Sequence, residues 1–356
     1  MKAIISPAIS RSKSNSACVK VPRASRTLRL ASPFRHGAMT RTSLLNWALY
    51  VALMAATMLW LAWGKPLNVA GMFITAGLAV GSLYALGGIG MVVLFRASGV
   101  LNFSSGAAGA AGAMTAWQLT AWGFWPPLSW AACILVALAL TLAYGRFIAP
   151  LLAWRETVVK AVATLGFALI ILGLVAFLWP DDPRALELPT DSIGLTLLGL
   201  RVTGTRVLAF LASVLICIGI YVFLGRTNIG LQMRAAANDR DLSALLGIPI
   251  LRVETIAWAI AGLLAGFTGL IFANLIRLEP VVITFMVIPS IAAALSGRLD
   301  NLGLVLIGGL SMGVIESMLT LSPALKGVRP IAPFVIAALV LLYNQRGSRL
   351  LFAGRS

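Results

Sequence analysis

The side chains that carry most protein chemistry are few in this chain and widely scattered. The single histidine, His36, stands in a basic N-terminal stretch, so neither a zinc site nor a histidine-based triad can be assembled. Cys18 lies in the same stretch, while Cys133 and Cys217 lie inside apolar runs, where cysteine serves as a small hydrophobe rather than as half of a disulfide framework. Lys65 follows Gly64 but precedes Pro66, and no lysine has the setting of a phosphate-binding loop. Glu316 is the one carboxylate well inside a long apolar stretch. An ionised acid at the centre of a bilayer costs roughly 2.5–3.5 kcal/mol on insertion scales, so Glu316 is expected to face a protein interior. It then either meets a substrate amine or a gate, or is protonated or simply bonded to a neighbouring helix. The remaining chemistry is polar and uncharged: Asn102, Ser104 and Ser105 in Ala97-Ser-Gly-Val-Leu-Asn-Phe-Ser-Ser-Gly106, ahead of the small-residue run Ala107 to Ala113. The glycines permit a broken or re-entrant helix, which a bilayer tolerates only where protein or a water-filled cavity covers it. Either this segment lines a translocation path, or its Gly and Ser only let helices approach closely.

The elements that must position these groups follow from composition. Of 356 residues, 60% are hydrophobic and 11% charged, where a soluble domain carries roughly 25% charged. That length holds about ten spans of about 20 residues. Uncharged or nearly uncharged stretches fall at 44–63, 67–95, 104–124, 128–144, 158–179, 206–224, 255–276, 284–297, 301–320 and 331–344. The expected fold is therefore an all-α polytopic membrane protein of about ten transmembrane helices, one of them broken or re-entrant. Those at 284–297 and 331–344 are shorter than the roughly 17 residues of a straight crossing, so either is tilted, broken or extended into its neighbours. Three pairs with GxxxG spacing, Gly77 and Gly81, Gly262 and Gly266, and Gly309 and Gly313, point to close helix crossings.

Charge sets the orientation. The net charge of +17 is dispersed between apolar runs, without a nucleic-acid recognition module, so it marks cytoplasmic loops instead. With the N-terminus inside and ten crossings, inside segments after the tail hold Arg96, Arg146, Arg155, Lys160, Arg226, Arg234, Arg240, Arg252, Arg298, Arg346, Arg349 and Arg355. Outside segments hold only Lys65, Arg184, Arg201, Arg206, Arg277, Lys326 and Arg329, so both termini are expected in the cytoplasm. Residues 1–43 are basic, acid-free and serine-rich; they resemble a transit peptide, and fit equally a disordered tail or a start chosen upstream of Met39. The outer connection 180–205 carries Asp181, Asp182, Glu187 and Asp191, and Ile193 to Val202 alternates as a short hairpin would.

The longest inside loop, 225–252, reads GRTNIGLQMRAAANDRDLSALLGIPILR. Its composition predicts one helix over 231–246, with Leu231, Ala235, Leu242, Leu245 and Leu246 on a mostly apolar side. Asp239 and Arg240 fall elsewhere, and Gly247 followed by Pro249 ends the helix. An apolar face held in the cytoplasm needs a cover, and mixed acids and arginines suit a protein partner better than a lipid surface.

That loop, with Arg234-Ala235, a polar turn, Ala244-Leu-Leu-Gly-Ile248 and the small-residue span Ala257 to Phe272, resembles the coupling loop of branched-chain amino acid ABC transporter permeases. The stretch Ser98 to Gly106 is similar to that family's G-L-I-N-F-A-H-G-E element. Gly308-Gly309 to Glu316 and Asn344-Gln-Arg-Gly347 match its closing pattern, and the likeness runs from about residue 67 to the end. Two departures bear on the solute: Ala107 replaces a common acid, and Leu295-Ser-Gly-Arg-Leu-Asp300 replaces a Leu-Gly-Gly-x-Gly turn. The resemblance implies a multi-pass permease subunit in the bacterial inner membrane, with residues 44–346 as its transmembrane domain and 347–356 as a cytoplasmic tail. It implies amino acids, branched-chain or related small amides, as solutes. It further implies an external solute-binding protein, a second and different permease subunit, and two cytoplasmic ATPases that perform all ATP hydrolysis. No cofactor or metal is expected. On that likeness Asn102, Ser104, Ser105 and Glu316 are the path residues. Leu231, Arg234, Ala235, Asp239, Leu242, Leu246 and Gly247 are the ATPase contacts. The rival expectations are a sugar permease of the same superfamily and an ion-coupled transporter, the latter needing more intramembrane acids or histidines than Glu316.

Overall fold

A computed structural model describes residues 41–62, 66–153, 155–179, 184–197, 200–276, 278–322, 327 and 331–345. The basic N-terminal stretch, Asp181, Asp182 and the C-terminal tail lie outside them. Nine of the ten apolar stretches fall on one helix each, and the tenth, 284–297, falls on two. In chain order these are α1 (Arg41–Ala62), α2 (Leu67–Ser98), α3 (Ser105–Ala121), α4 (Pro126–Ala143), α5 (Thr157–Leu178) and α6 (Gly204–Arg226). After α7 (Asn228–Asn238) and α8 (Arg240–Leu245) come α9 (Ile250–Leu275), α10 (Pro280–Phe285), α11 (Val287–Ser296), α12 (Leu302–Leu319) and α13 (Ala332–Gln345). Six helical segments, Asn68–Ser98, Pro126–Leu152, Thr157–Leu178, Gly204–Arg226, Ile250–Leu275 and Leu302–Leu319, are long and apolar enough to cross a bilayer. The chain is an all-α membrane protein. Its sheet among the described residues is the expected hairpin, β1 (Gly194–Leu197) antiparallel to β2 (Leu200–Thr203), with Gly194 opposite Thr203.

The bundle has a centre and a rim. The most apolar stretches of α2, α9 and α12 are 78%, 72% and 67% buried, while those of α4, α5 and α6 are 22–28% buried. The rim helices turn Leu165, Ile170, Phe177 and Leu215 outward, as side chains solvated by lipid would be. At the centre, the GxxxG pairs of α2 and α12 pack on each other. A Cβ on Gly77 would lie 2.6 Å from Val314 Cα, and one on Gly81 would lie 2.7 Å from the Gly309 carbonyl oxygen. Only glycine permits that approach. The third pair, Gly262 and Gly266 of α9, sits against Leu138 and Ile134 of α4.

Two groups of contacts tie opposite ends of the helices. At one end, Arg96 on the last turn of α2 pairs with Asp300 before α12 at 3.0 Å, and Arg240 pairs with Glu254 near the start of α9. At the other, Trp179 Nε1 after α5 donates to Gln118 Oε1 of α3 at 3.0 Å, and Asn274 of α9 donates to the Leu186 carbonyl at 2.9 Å. Asp191 accepts from Thr205 Oγ1 at the start of α6, 2.7 Å away, and the Arg184 guanidinium lies over the Trp117 ring.

Two expectations about helix continuity change. The stretch 284–297 extends back to Pro280 and is interrupted at Met286. Pro289 explains this, because it has no N–H to give the Phe285 carbonyl four residues earlier and its ring crowds that oxygen. The single helix expected over 231–246 is two helices meeting at Asp239, which is extended at φ −154°, ψ 108°. Asp239 Oδ1 accepts the Leu242 N–H at 2.9 Å, so a side chain that caps a new helix competes with continuation of the old one.

Candidate functional site

Between Ser98 and Ser105 the backbone leaves the helix and stays buried. Gly99, at φ 66°, returns its N–H to the Phe95 carbonyl at 2.7 Å and closes α2 in a conformation that suits glycine. Beyond it, Thr164 of α5 donates to the Leu101 carbonyl at 3.0 Å and accepts the Phe103 N–H at 3.1 Å, supplying the loop with partners a helix would otherwise provide. Asn102 is 1% exposed, and its Oδ1 accepts both the N–H and the hydroxyl of Ser104, at 2.9 and 2.7 Å. Because a backbone N–H can only donate, this bond fixes the amide's orientation. Nδ2 is left buried without an acceptor.

The non-helical segment between α2 and α3 opens on a cavity where the two interruptions of the bundle meet. Asn102, Ser105, Gly106 and Gly109 form one wall, and Ile283, Met286, Val287 and Ser290 of α10 and α11 form the opposite one. Gly87, Gly90 and Met91 of α2 and the α9 face from Ala261 to Phe272 complete it. Among the described residues, no charged side chain lines it. Its free volume is about 30 Å³, enough for one or two waters, so a larger solute passes only when the walls part.

Of the four path residues expected, the cavity brings together Asn102 and Ser105. Ser104 is buried behind them as the partner of Asn102. Glu316 stands one side chain further back. It accepts the Tyr84 hydroxyl at 2.8 Å, and the Tyr84 ring packs on Phe272 at 5.9 Å, so Glu316 orients an aromatic that backs the cavity wall.

The loop 225–252 carries a second, external feature. Thr227 Oγ1 caps α7 by accepting the Gly230 N–H at 3.0 Å. Gly247, at φ 81°, ends α8, with the Ile248 N–H on the Ser243 carbonyl and the Gly247 N–H on that of Ala244. Between these caps Leu231, Leu242, Leu245 and Leu246 are exposed, and Ala235 is half-buried. Arg234 turns back on its own fold, towards the carbonyls of Gly230 and Gly225 at 3.4 Å each. Arg240 fastens α8 to α9, the helix that lines the cavity, through the buried Glu254.

Sequence reasoning missed Thr164, Tyr84, Pro289 and the Arg240–Glu254 pair. Thr164 and Tyr84 read as ordinary members of apolar runs. Pro289, inside a stretch already too short to cross straight, was the available signal for the interruption. The turn Gly297–Asn301 holds Arg298 and Leu299 at φ 55° and 57°, left-handed values that glycine adopts at less cost. Arg96 steadies this turn through the carbonyls of Leu299 and Asp300 and the Asp300 carboxylate.

The profile of a family described as the permease component of branched-chain amino acid transport systems matches residues 73–343. A probable branched-chain amino acid transport permease protein LivH of Methanocaldococcus jannaschii is 25% identical over 254 residues, 70% of this chain and 81% of that one. The high-affinity branched-chain amino acid transport permease BraD of Pseudomonas aeruginosa is 24% identical over 290 residues, 76% and 92% of the two chains. The L-arabinose transport permease AraH of Escherichia coli is 25% identical over 144 residues, 36% of this chain and 42% of that one. No solved structure matches.

Proposed function

We infer the function of this chain from the family to which it belongs, the permease components of branched-chain amino acid transport systems. It is the membrane-spanning subunit of an ATP-driven importer of amino acids, branched-chain or related small amides, in the bacterial inner membrane. The observation that carries this reading is the family match over 73–343, which includes both the cavity and the exposed leucines of α7 and α8. An external binding protein delivers the solute, a second permease subunit completes the path, and two cytoplasmic ATPases cover Leu231, Leu242, Leu245 and Leu246 and hydrolyse ATP. Asp239 and Gly247 shape this contact through the caps of α8, Ala235 borders it, and Arg234 braces α7 against the end of α6. Asn102, Ser104 and Ser105 line or support the path, and Glu316 positions Tyr84.

The proposed topology has ten crossings with both termini cytoplasmic, residues 1–43 and 347–356 as tails and 225–252 as the coupling loop. The grouping of Arg96, Arg240, Glu254 and Asp300 at one end, and of Gln118, Trp179, Asp191 and Asn274 at the other, supports this alternation. The sugar-permease reading has the shorter AraH match behind it. An ion-coupled mechanism gains nothing from a cavity lined by no acid or histidine.

The test is ATP-driven uptake of labelled L-leucine, L-isoleucine and L-valine by the complete complex in proteoliposomes. Uptake is expected to require ATP, the binding protein and both ATPases. Uptake that persists without the ATPases and follows an ion gradient would overturn the reading.

A further inference from the structure

We propose that the cavity contains a carboxylate subsite, in which Asn102 Nδ2 and the free N–H groups at the start of α3 receive the carboxylate of the solute in transit. The inference rests on the transport reading above and adds the site and the group recognised there.

Two independent features converge on it. The first is the beginning of a 17-residue helix, buried within the bundle. The first N–H groups of any helix lack an intrahelical acceptor, and the peptide dipoles make that end attractive to anions. Here no side chain caps them, and no acid stands in the first turn to supply a negative charge. The second is Asn102 Nδ2, a buried donor with no acceptor of its own on a residue that is 1% exposed. Its orientation is settled by Ser104, so it cannot be exchanged for the amide oxygen. An unsatisfied donor at such depth is costly, and Asn102 stands in the wall of the cavity, where a ligand oxygen would relieve it.

The surroundings narrow the ligand. A cationic head group finds no acid in the lining, while an oxygen anion finds donors and a helix N-terminus. Met91, Leu264, Phe272 and Val287 offer only apolar surface to the rest of the molecule. The carboxylate and the aliphatic body of a branched-chain amino acid meet these two conditions, while its ammonium group finds no counter-charge in this lining. Gly106 is needed because a Cβ there would collide with the Thr284 carbonyl and push the N-terminus of α3 away from α10.

The experiment compares L-leucine, L-isoleucine and L-valine with their amides in the reconstituted complex, for the unaltered chain and for Asn102→Asp. The substitution is isosteric, keeps an oxygen for Ser104 and replaces the free donor with an acceptor. The unaltered complex is expected to prefer the acids over the amides, and Asn102→Asp to lower uptake of the acids by roughly 10- to 100-fold while sparing the amides. Equal transport of acids and amides by the unaltered complex overturns the subsite without recourse to any variant. An unchanged preference in Asn102→Asp, or an equal loss for acids and amides, also overturns it and leaves the transport reading standing. If the unaltered complex moves none of the three acids and none of their amides, the transport reading fails and the subsite with it.

Discussion

Asn102 and Leu246 contrast in burial, 1% against 73% exposed, and each is out of keeping with its surroundings. The amide is a polar group sealed inside an apolar bundle, and the leucine is an apolar group left outside it. Asn102 belongs to a region the chain builds from its own parts: Thr164 serves the loop, Ser104 fixes the amide, and α9, α10 and α11 close the cavity. Leu246 belongs to one that is well formed but uncovered, with caps at Thr227, Asp239 and Gly247 and four exposed leucines between them. Unmet hydrogen bonding points inward to a small solute, whereas uncovered hydrophobic surface points outward to a protein. Between them, α9 presents Glu254 to α8 at one end and the cavity wall along its middle.

Substitutions can separate the two regions. The largest effect is expected from Leu242→Asp combined with Leu246→Asp. Both positions are exposed, so the protein should accumulate normally while ATP-driven uptake falls by more than about 100-fold, the loss of a buried interface anchor. Normal uptake in this double variant would show that the leucines are not a docking face. Gly313→Leu should act through the fold instead. Forcing a side chain into the α2–α12 contact destabilises by about 3 kcal/mol, to be read as loss of folded protein in detergent by size exclusion. Glu254→Leu leaves Arg240 without its partner, and the expected result is ATP hydrolysis that continues while uptake drops roughly 10-fold. Equal loss of hydrolysis and uptake would assign the pair to docking. Tyr84→Phe removes one hydrogen bond to Glu316, about 1–2 kcal/mol, and should lower the thermal midpoint by a few degrees with uptake reduced only several-fold. Smallest is Gly247→Ala, about 1 kcal/mol of left-handed strain, expected to weaken ATPase association slightly in a pull-down and to leave the cavity's acid-over-amide preference unchanged.

Much of the fold was legible because lipid imposes uniform apolarity over whole spans, and the apolar stretches fall on helices, with 284–297 divided between α10 and α11. The hairpin at 194–203 followed from alternation. The division at Asp239 was not legible from helix propensity, because one carboxylate's bond to Leu242 decides between continuing and restarting. Asn102 could be picked out as a polar residue among glycines, but its unpartnered nitrogen could not, since that depends on how the loop folds around Ser104. Tyr84 and Thr164 matter through partners distant in sequence, Glu316 and the 101–103 backbone, which local spacing does not reveal.

The glycine seam between α2 and α12 limits how such a molecule can work. With main chain resting on main chain at Gly77, Gly81, Gly309 and Gly313, neither helix can slide by a residue without driving a side chain into its neighbour's backbone. These two helices must therefore travel as a single strut, and any widening of the cavity has to come from movement of the elements packed around that strut.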